Sequence, residues 1–271
     1  MATNVFMKVN INEIKKIAKT ASEEILKYYK SDFDIAYKGG DPKSPVTNAD
    51  LASEKIIKEG LAKYGWPILS EESADDKSRL NSEYVWIVDP LDGTKDFIER
   101  TGEFCVIIAL VKNYQPILGV IYIPVDNICY FAEKGGGAYM ESFDNKNRIV
   151  IDKESEFSKM VILTSKYHLG KLEEELANLS DIKEKKQIGS AGIKIARIAQ
   201  GEAHIYINSS DKSSEWDTCA GELILCEAGG KITDMDGNDL NYNNENPRHL
   251  NGYVASNGTR HDDIIKVLKT L

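Results

Sequence analysis

Trp86-Ile87-Val88-Asp89-Pro90-Leu91-Asp92-Gly93-Thr94-Lys95-Asp96-Phe97 is the stretch that decides how this chain reads. A hydrophobic, β-like run over residues 84–88 stops at Asp89 and Pro90. Asp92, Gly93 and Thr94 follow, and a helix can start there. Two acids and a Gly-Thr turn at a strand end suit hard cations and phosphate. Carboxylate oxygens match Mg²⁺, which binds through one or two carboxylates plus substrate phosphate. The amides of Gly93 and Thr94, at the mouth of a helix, can face an anion. The plainer alternative is an Asp-Pro-x-Asp-Gly turn, since all three residue types favour turns.

Three further acids stand beside strand ends or helix starts: Asp50, Glu71 and Asp217. Each has its own structural explanation. Asp50, three residues after Thr47, completes a capping box. Glu71 and Glu72 read equally as solvated loop charges. Asp217 reads as a first-turn acid favoured by a helix dipole. Brought together with Asp89 and Asp92, however, these carboxylates would repel one another unless cations lay between them.

The surrounding pattern supplies a frame. Residues 11–30 carry apolar groups at helical spacing, with Asn10 and Glu13 as a capping box. A Gly/Pro loop covers 38–45, and a second helix is expected over 47–63 with Leu51, Ile56, Ile57 and Leu61 as its apolar face. Residues 67–70 form a short strand. Runs at 104–112, 117–123 and 128–133 predict an antiparallel meander. Beyond it, strands at 161–164, 204–208, 231–234 and 252–256 alternate with helices at 171–179, 191–199, 216–228 and 262–271. An N-terminal α+β half (1–150) with the metal site and a C-terminal α/β half (151–271) with substrate-binding elements and the last metal ligand are expected. The polar run 141–156 serves as the boundary.

The 271 residues, 42% hydrophobic and 28% charged, suit one large domain or two halves sharing a core. A formal net charge of −9 argues against a nucleic-acid polymer or an anionic membrane surface as partner. It leaves room for a small anionic substrate, because bound metal reverses the sign locally. No apolar run approaches the roughly 20 residues of a membrane span, and the first residues lack an apolar h-region. A cytoplasmic protein is expected. Cys105, Cys129, Cys219 and Cys226 have no zinc spacing and read as reduced core residues. There is no G-x-S-x-G and no HExxH.

Glu71-Glu72-Ser73, the Asp89–Asp92 run ending in Gly93-Thr94, and Trp216-Asp217 with Ala220-Gly221 resemble the three signatures of the inositol monophosphatase superfamily. These are Mg²⁺-dependent, lithium-sensitive phosphomonoesterases. The likeness spans nearly the whole chain. Within it, Lys95, Phe97-Ile98, Arg100-Thr-Gly-Glu-Phe104, Leu69-Ser-Glu-Glu72, Thr164-Ser-Lys-Tyr-His168 and Gly189-Ser190 with Lys194 resemble bacterial-type 3′(2′),5′-bisphosphate nucleotidases. One departure is the loop Asn208-Ser-Ser-Asp-Lys212, where those nucleotidases often carry Arg. Lys212 is a point charge without the planar fork of Arg.

The resemblance implies a sugar-phosphatase fold, a layered α-β-α-β-α sandwich. It implies Glu71, Asp89 and the Leu91 carbonyl on one Mg²⁺, and Asp89, Asp92 and Asp217 on a second, with two or three ions in all and Li⁺ inhibitory. Thr94 and Asp50, with Glu71, would act on the attacking water. Asp92, Gly93, Thr94, Ser190, Lys194 and Asp217 would contact substrate. His168 reads as a base-stacking or core residue. The implied reaction is hydrolysis of the 3′-phosphate of adenosine 3′,5′-bisphosphate to AMP. The alternatives are an inositol monophosphatase or sugar (bis)phosphatase using the same site, and a non-catalytic metal-binding module. A small phosphorylated partner is expected, and a homodimer is compatible.

Overall fold

In a strand successive side chains point to opposite faces, and here that alternation sorts the core into layers. The computed structural model describes residues 9–31, 35–37, 45–143, 145–166 and 171–271. Strand β4 (Tyr84–Asp92) sends Val85 and Ile87 to one hydrophobic cluster and Trp86 and Val88 to another. Strand β5 (Cys105–Lys112) does the same with Cys105, Ile107 and Ala109 against Val106, Ile108 and Leu110. A strand apolar on both faces must be covered twice.

The outer cover is α1 (Ile11–Tyr29) with α2 (Asn48–Leu61). Ile14, Ala18, Ala21 and Ile25 form the α1 stripe at spacings of four, three and four, and none is exposed. Burial of each such Ile contributes roughly 1.5–3 kcal/mol. The inner cover is α5 (Ala191–Ala199) and α6 (Glu215–Glu227), which lie in the cluster shared by both sheets. A third cluster lies under α4 (Lys171–Leu179) and α7 (His261–Leu268). Strand β12 (Ile205–Asn208) divides likewise: Tyr206 faces the shared cluster, Ile205 and Ile207 the third. The result is the expected helix–sheet–helix–sheet–helix sandwich.

The first large sheet has order β3-β4-β5-β6-β7-β8-β9, with β3 (Ile68–Ser70), β6 (Gln115–Ile123), β7 (Ile128–Glu133), β8 (Ala138–Ser142) and β9 (Asn145–Ile149). Strand β3 is parallel to β4, and the remaining pairs are antiparallel. The second has order β11-β10-β12-β14-β13, with β10 (Val161–Thr164), β11 (Glu184–Gln187), β13 (Lys231–Thr233) and β14 (Tyr253–Ser256). β1 (Ile35–Tyr37) and β2 (Pro45–Thr47) make a separate antiparallel pair, and α3 (Thr94–Ile98) follows β4.

Several expectations need correction. The end of β8 and all of β9 lie in the polar run that begins at 141, and β11 is all exposed polar residues; alternation of apolar groups marks none of them. Leu51 is 50% exposed, and the α2 core face is Ala49, Ser53, Ile57 and Leu61. Asn10 does cap α1, accepting from Asn12 N, but Glu13 turns away to Lys63 and Tyr64. Cys226 is exposed, whereas the other three cysteines are buried. Helix α3 is only five residues long, so its dipole at Gly93 and Thr94 is small. The 38–44 part of the Gly/Pro loop lies outside the described residues, as does His168.

Candidate active site

Asp89 and Asp92 are three residues apart, which in a regular strand would put them on opposite faces. Strand β4 is not regular there. Asp89 pairs with Ile107 and Asp92 with Cys105, so three steps on β4 answer two on β5. That extra residue is a β-bulge, a device that re-aims side chains, and it turns both carboxylates to one side. Leu91 N donates to Asp89 Oδ1 at 2.9 Å, and Ser53 Oγ on α2 holds the Pro90 carbonyl at 2.7 Å. Gly93 closes the bulge at φ +96, and a Cβ there would meet the Glu103 carbonyl at 2.8 Å.

Glu71 arrives by register. Ser70 pairs with Val88 in parallel, so Glu71 comes alongside Asp89, and its own N–H donates to the Val88 carbonyl at 3.3 Å. Ser73 Oγ donates to Glu54 Oε1 at 2.6 Å, tying this loop to α2.

Asp217 comes from the middle helical layer. Ser214 N at 2.7 Å and Ser213 Oγ at 2.8 Å donate to its Oδ2, a capping box at the start of α6. One oxygen from each of Asp89, Asp92 and Asp217 lies within 4.8 Å of the others. Asp217 is therefore at once the expected first-turn acid, here closing a capping box, and a member of the cluster.

Asp50 is likewise used twice. Its Oδ2 accepts from Thr47 N at 2.8 Å and Thr47 Oγ1 at 2.6 Å, completing the capping box of α2. Its Oδ1 accepts from Thr94 Oγ1 at 3.2 Å, and the same hydroxyl is 3.3 Å from the Leu91 carbonyl. Asp50 is fully buried.

The electrostatics show what such a cluster lacks. Asp89 is 1% exposed. Burial, then Glu71, Asp92, Asp217 and Glu72, push its carboxyl well above the usual range. Burial, then Asp92 and Glu71, push Asp217 to about 8, against the donors Ser214 and Ser213. Carboxylates crowded in this way are stable as anions only beside positive charge. An all-oxygen donor set suits a hard divalent cation such as Mg²⁺, and these residues fit one.

Ser190 and Lys194 stand at the edge of the cluster. Ser190 caps α5 and donates to Asp92 Oδ2 at 2.5 Å, while Gly192 N reaches the same oxygen at 2.7 Å. Gly192 permits this approach, since a Cβ would lie 2.8 Å from Ile107 Cδ1 and 3.2 Å from Asp92 Oδ2. Lys194 is buried, its Nζ on the carbonyls of Ile188 (3.1 Å) and Gly189 (3.3 Å) and 4.8 Å from the Tyr206 ring. Burial pulls its pKa down to about 8, with Asp92 and Asp96 opposing. Lys212 is exposed. His204 is taken up by Val161 N, which donates to its Nδ1 at 2.9 Å.

Sequence reasoning gave no role to Glu103 or Lys166, which brace this edge: Gly189 N donates to Glu103 Oε2 at 2.7 Å and Lys166 pairs with Glu103 at 2.5 Å. Nor did it find Ser53, Glu54, Arg79 or Glu215. No local pattern marks such partners, because they are distant in the chain.

Comparison with known proteins identifies the family. The sequence pattern of the inositol monophosphatase family matches residues 8–271. The 3′(2′),5′-bisphosphate nucleotidase CysQ of Salmonella typhimurium is 34% identical over 235 residues, 86% of this chain and 93% of its own length. Among solved structures, CysQ of Bacteroides thetaiotaomicron has a TM-score of 0.79 at 31% identity, covering 95% of this chain and 100% of that one. The extragenic suppressor protein suhB of Bartonella henselae has a TM-score of 0.81 at 28% identity, covering 95% and 97%. With its layered fold and its acids on the β4 bulge and the first turn of α6, the chain belongs to the inositol monophosphatase family.

Proposed function

We propose that this protein is a Mg²⁺-dependent phosphomonoesterase that removes the 3′-phosphate of adenosine 3′,5′-bisphosphate, giving AMP and phosphate. The observation that carries the reading is the convergence of Asp89, Asp92 and Asp217 in a chain about one third identical, over most of its length, to bisphosphate nucleotidases.

Glu71, Asp89 and the Leu91 carbonyl would hold one Mg²⁺, and Asp89, Asp92 and Asp217 a second. When bound, the cations neutralise phosphate charge and make water more acidic. The chain's own residues then have defined tasks. Thr94 Oγ1 takes up a proton from the attacking water as its own moves to Asp50 Oδ1, already its partner at 3.2 Å. Thr47 holds the other Asp50 oxygen, which fixes the carboxylate's direction. Glu71 orients the water. The amides of Gly93 and Thr94 face the phosphate oxygens, beside Asp92 and Asp217. Ser190 and Lys194 would contact the substrate, Lys194 as the cation for a second phosphate. Two or three ions bind in all, Li⁺ inhibits, and the enzyme acts in the cytoplasm. Among the described residues, no helix is long and apolar enough to cross a membrane.

The test is phosphate release, with and without Mg²⁺, from adenosine 3′,5′-bisphosphate, its 2′,5′ isomer, inositol 1-phosphate and fructose 1,6-bisphosphate. The expected preference is for the first. Preference for inositol 1-phosphate would move the assignment to the inositol branch of the family. Asp89→Asn should lower Mg²⁺-dependent turnover at least about a hundredfold, and normal turnover would remove Asp89 from the site.

A further inference from the structure

Glu71 and Asp217 enter the site from separate elements, and a buried polar network spans between those elements. Arg79 closes the loop that begins at Glu71 and is 1% exposed. Its Nε and Nη2 donate to Asp75 Oδ2 at 3.1 and 2.8 Å. Its Nη1 donates to Asn243 Oδ1 at 2.7 Å and its Nη2 to the Asn244 carbonyl at 2.9 Å. Asn243 Nδ2 donates back to the Arg79 carbonyl at 3.1 Å.

The opposite end is Glu215, first residue of α6, also 1% exposed. It accepts from Asn243 N at 2.6 Å and from Asn244 N and Nδ2, both at 2.9 Å. Its own N–H donates to the Pro247 carbonyl at 2.8 Å. Asn243 and Asn244 thus stand between the Glu71 loop and the turn of helix that carries Asp217.

A buried guanidinium and a buried carboxylate are a weak route to stability, since apolar groups of the same volume serve as well. Directional hydrogen bonds add a fixed separation, which apolar packing specifies less sharply. Asn243 suits that task twice over. Its backbone sits at φ +66, a left-handed conformation that Asn tolerates, and its carboxamide meets Arg79 with both ends.

We propose that Arg79, Asn243 and Glu215 are positioning residues. They form a polar spacer that sets the distance between the Glu71 loop and α6, and so the fit of the acid cluster to a divalent cation. This inference rests on the metal-site reading above, which none of the three residues enters.

The test reads cation affinity directly, by Mn²⁺ binding followed by electron paramagnetic resonance without substrate. Asn243→Gly keeps the left-handed backbone and deletes the link to Arg79. Glu215→Gln keeps shape and removes the charge. Both are expected to weaken Mn²⁺ binding about tenfold, at the low end for partners that orient ligands. The KM for adenosine 3′,5′-bisphosphate at saturating Mg²⁺ should stay unchanged. Circular dichroism identifies folded protein, and either variant alone suffices if the other does not fold. Asp89→Asn separates the two ideas. If it abolishes Mn²⁺ binding while folded Asn243→Gly binds as wild type does, the spacer is overturned and the site stands. If Asp89→Asn binds as wild type does, both are overturned.

Discussion

Asp217→Asn should stabilise the cation-free protein at neutral pH, although it removes a residue of the candidate site. The sign follows from the direction of the shift. Asp217 is raised from the usual 3.8 to about 8 by burial and by the neighbouring Asp92 and Glu71. A carboxyl with a raised folded pKa has its full stability below about 3.8 and loses it as pH rises toward 8. At pH 7 that interval is worth about 4 kcal/mol, at roughly 1.4 kcal/mol per pH unit. Asn removes the penalty yet still accepts from Ser214 N and Ser213 Oγ. Replacing one carboxyl oxygen by an amide NH2, which leaves one acceptor fewer, costs about 1 kcal/mol. The net gain is about 3 kcal/mol. With an unfolding entropy of about 2.1 cal/mol/K per residue over 271 residues, this is a rise in Tm of roughly 5 °C. Calorimetry in a chelator at pH 7 and pH 4.5 is the assay, and the gain should all but vanish at the lower pH. Saturating Mg²⁺ should raise the wild-type Tm more than that of the variant. A variant that melts at or below the wild type at pH 7 in chelator would refute the account of the cluster.

Other outcomes are expected. Thr94→Val keeps shape but removes the hydroxyl bonded to Asp50; kcat should fall by about a hundredfold or more with KM little changed, and the reverse pattern in steady-state kinetics would make Thr94 a phosphate clamp. Gly93→Ala forces a side chain into φ +96 and against the Glu103 carbonyl; it should cost about 1–3 kcal/mol in urea unfolding, and a neutral result would deny the strain. Burial lowers His249 to about 4, and burial with Lys231 lowers His261 to about 4. Both stay neutral when folded and gain protons on unfolding, so together they remove stability as pH falls from about 6.5 toward 4. The slope from the pair approaches roughly 3 kcal/mol per pH unit. Calorimetry in two buffers of different ionisation enthalpy should find proton uptake on unfolding at pH 5, reduced in His249→Phe.

The parts legible beforehand were those written in local periodicity. The meander of β5, β6 and β7 followed from three apolar runs, and α5 coincided with the expected 191–199. Asp50 was legible as a helix cap from its spacing of three after Thr47, and Asp217 as a first-turn acid. Their second role needed the β4 bulge, and a bulge is a matter of pairing count with β5 that residues 89–92 do not spell out alone. Strand β9 was hidden because four of its five residues are polar and exposed, and β8 because only Ala138, Tyr139 and Met140 of its five residues are apolar, too short a run to stand out. Leu51 failed in the opposite way, as an apolar residue at helical spacing that stays half exposed. The Arg79–Glu215 network was invisible, since its members are brought together only by the finished fold.

The middle helical layer has a consequence for the timing of synthesis. The face of the seven-stranded sheet bearing Val85, Ile87, Ile107, Ala109, Ile121 and Tyr130 is covered by α5 and α6. These helices are encoded long after β9 ends at Ile149. A ribosome adds roughly 5–20 residues per second, so a nascent chain carries a complete sheet with one oily face bare for several seconds. Its outer strand β9 presents Lys146 and Arg148 at the rim, charges that discourage a second sheet from adding on. The exposed face has no such guard. A truncated translation product ending near residue 150 should therefore be a target for chaperones, and the yield of soluble protein should depend on elongation speed across the segment encoding α5 and α6.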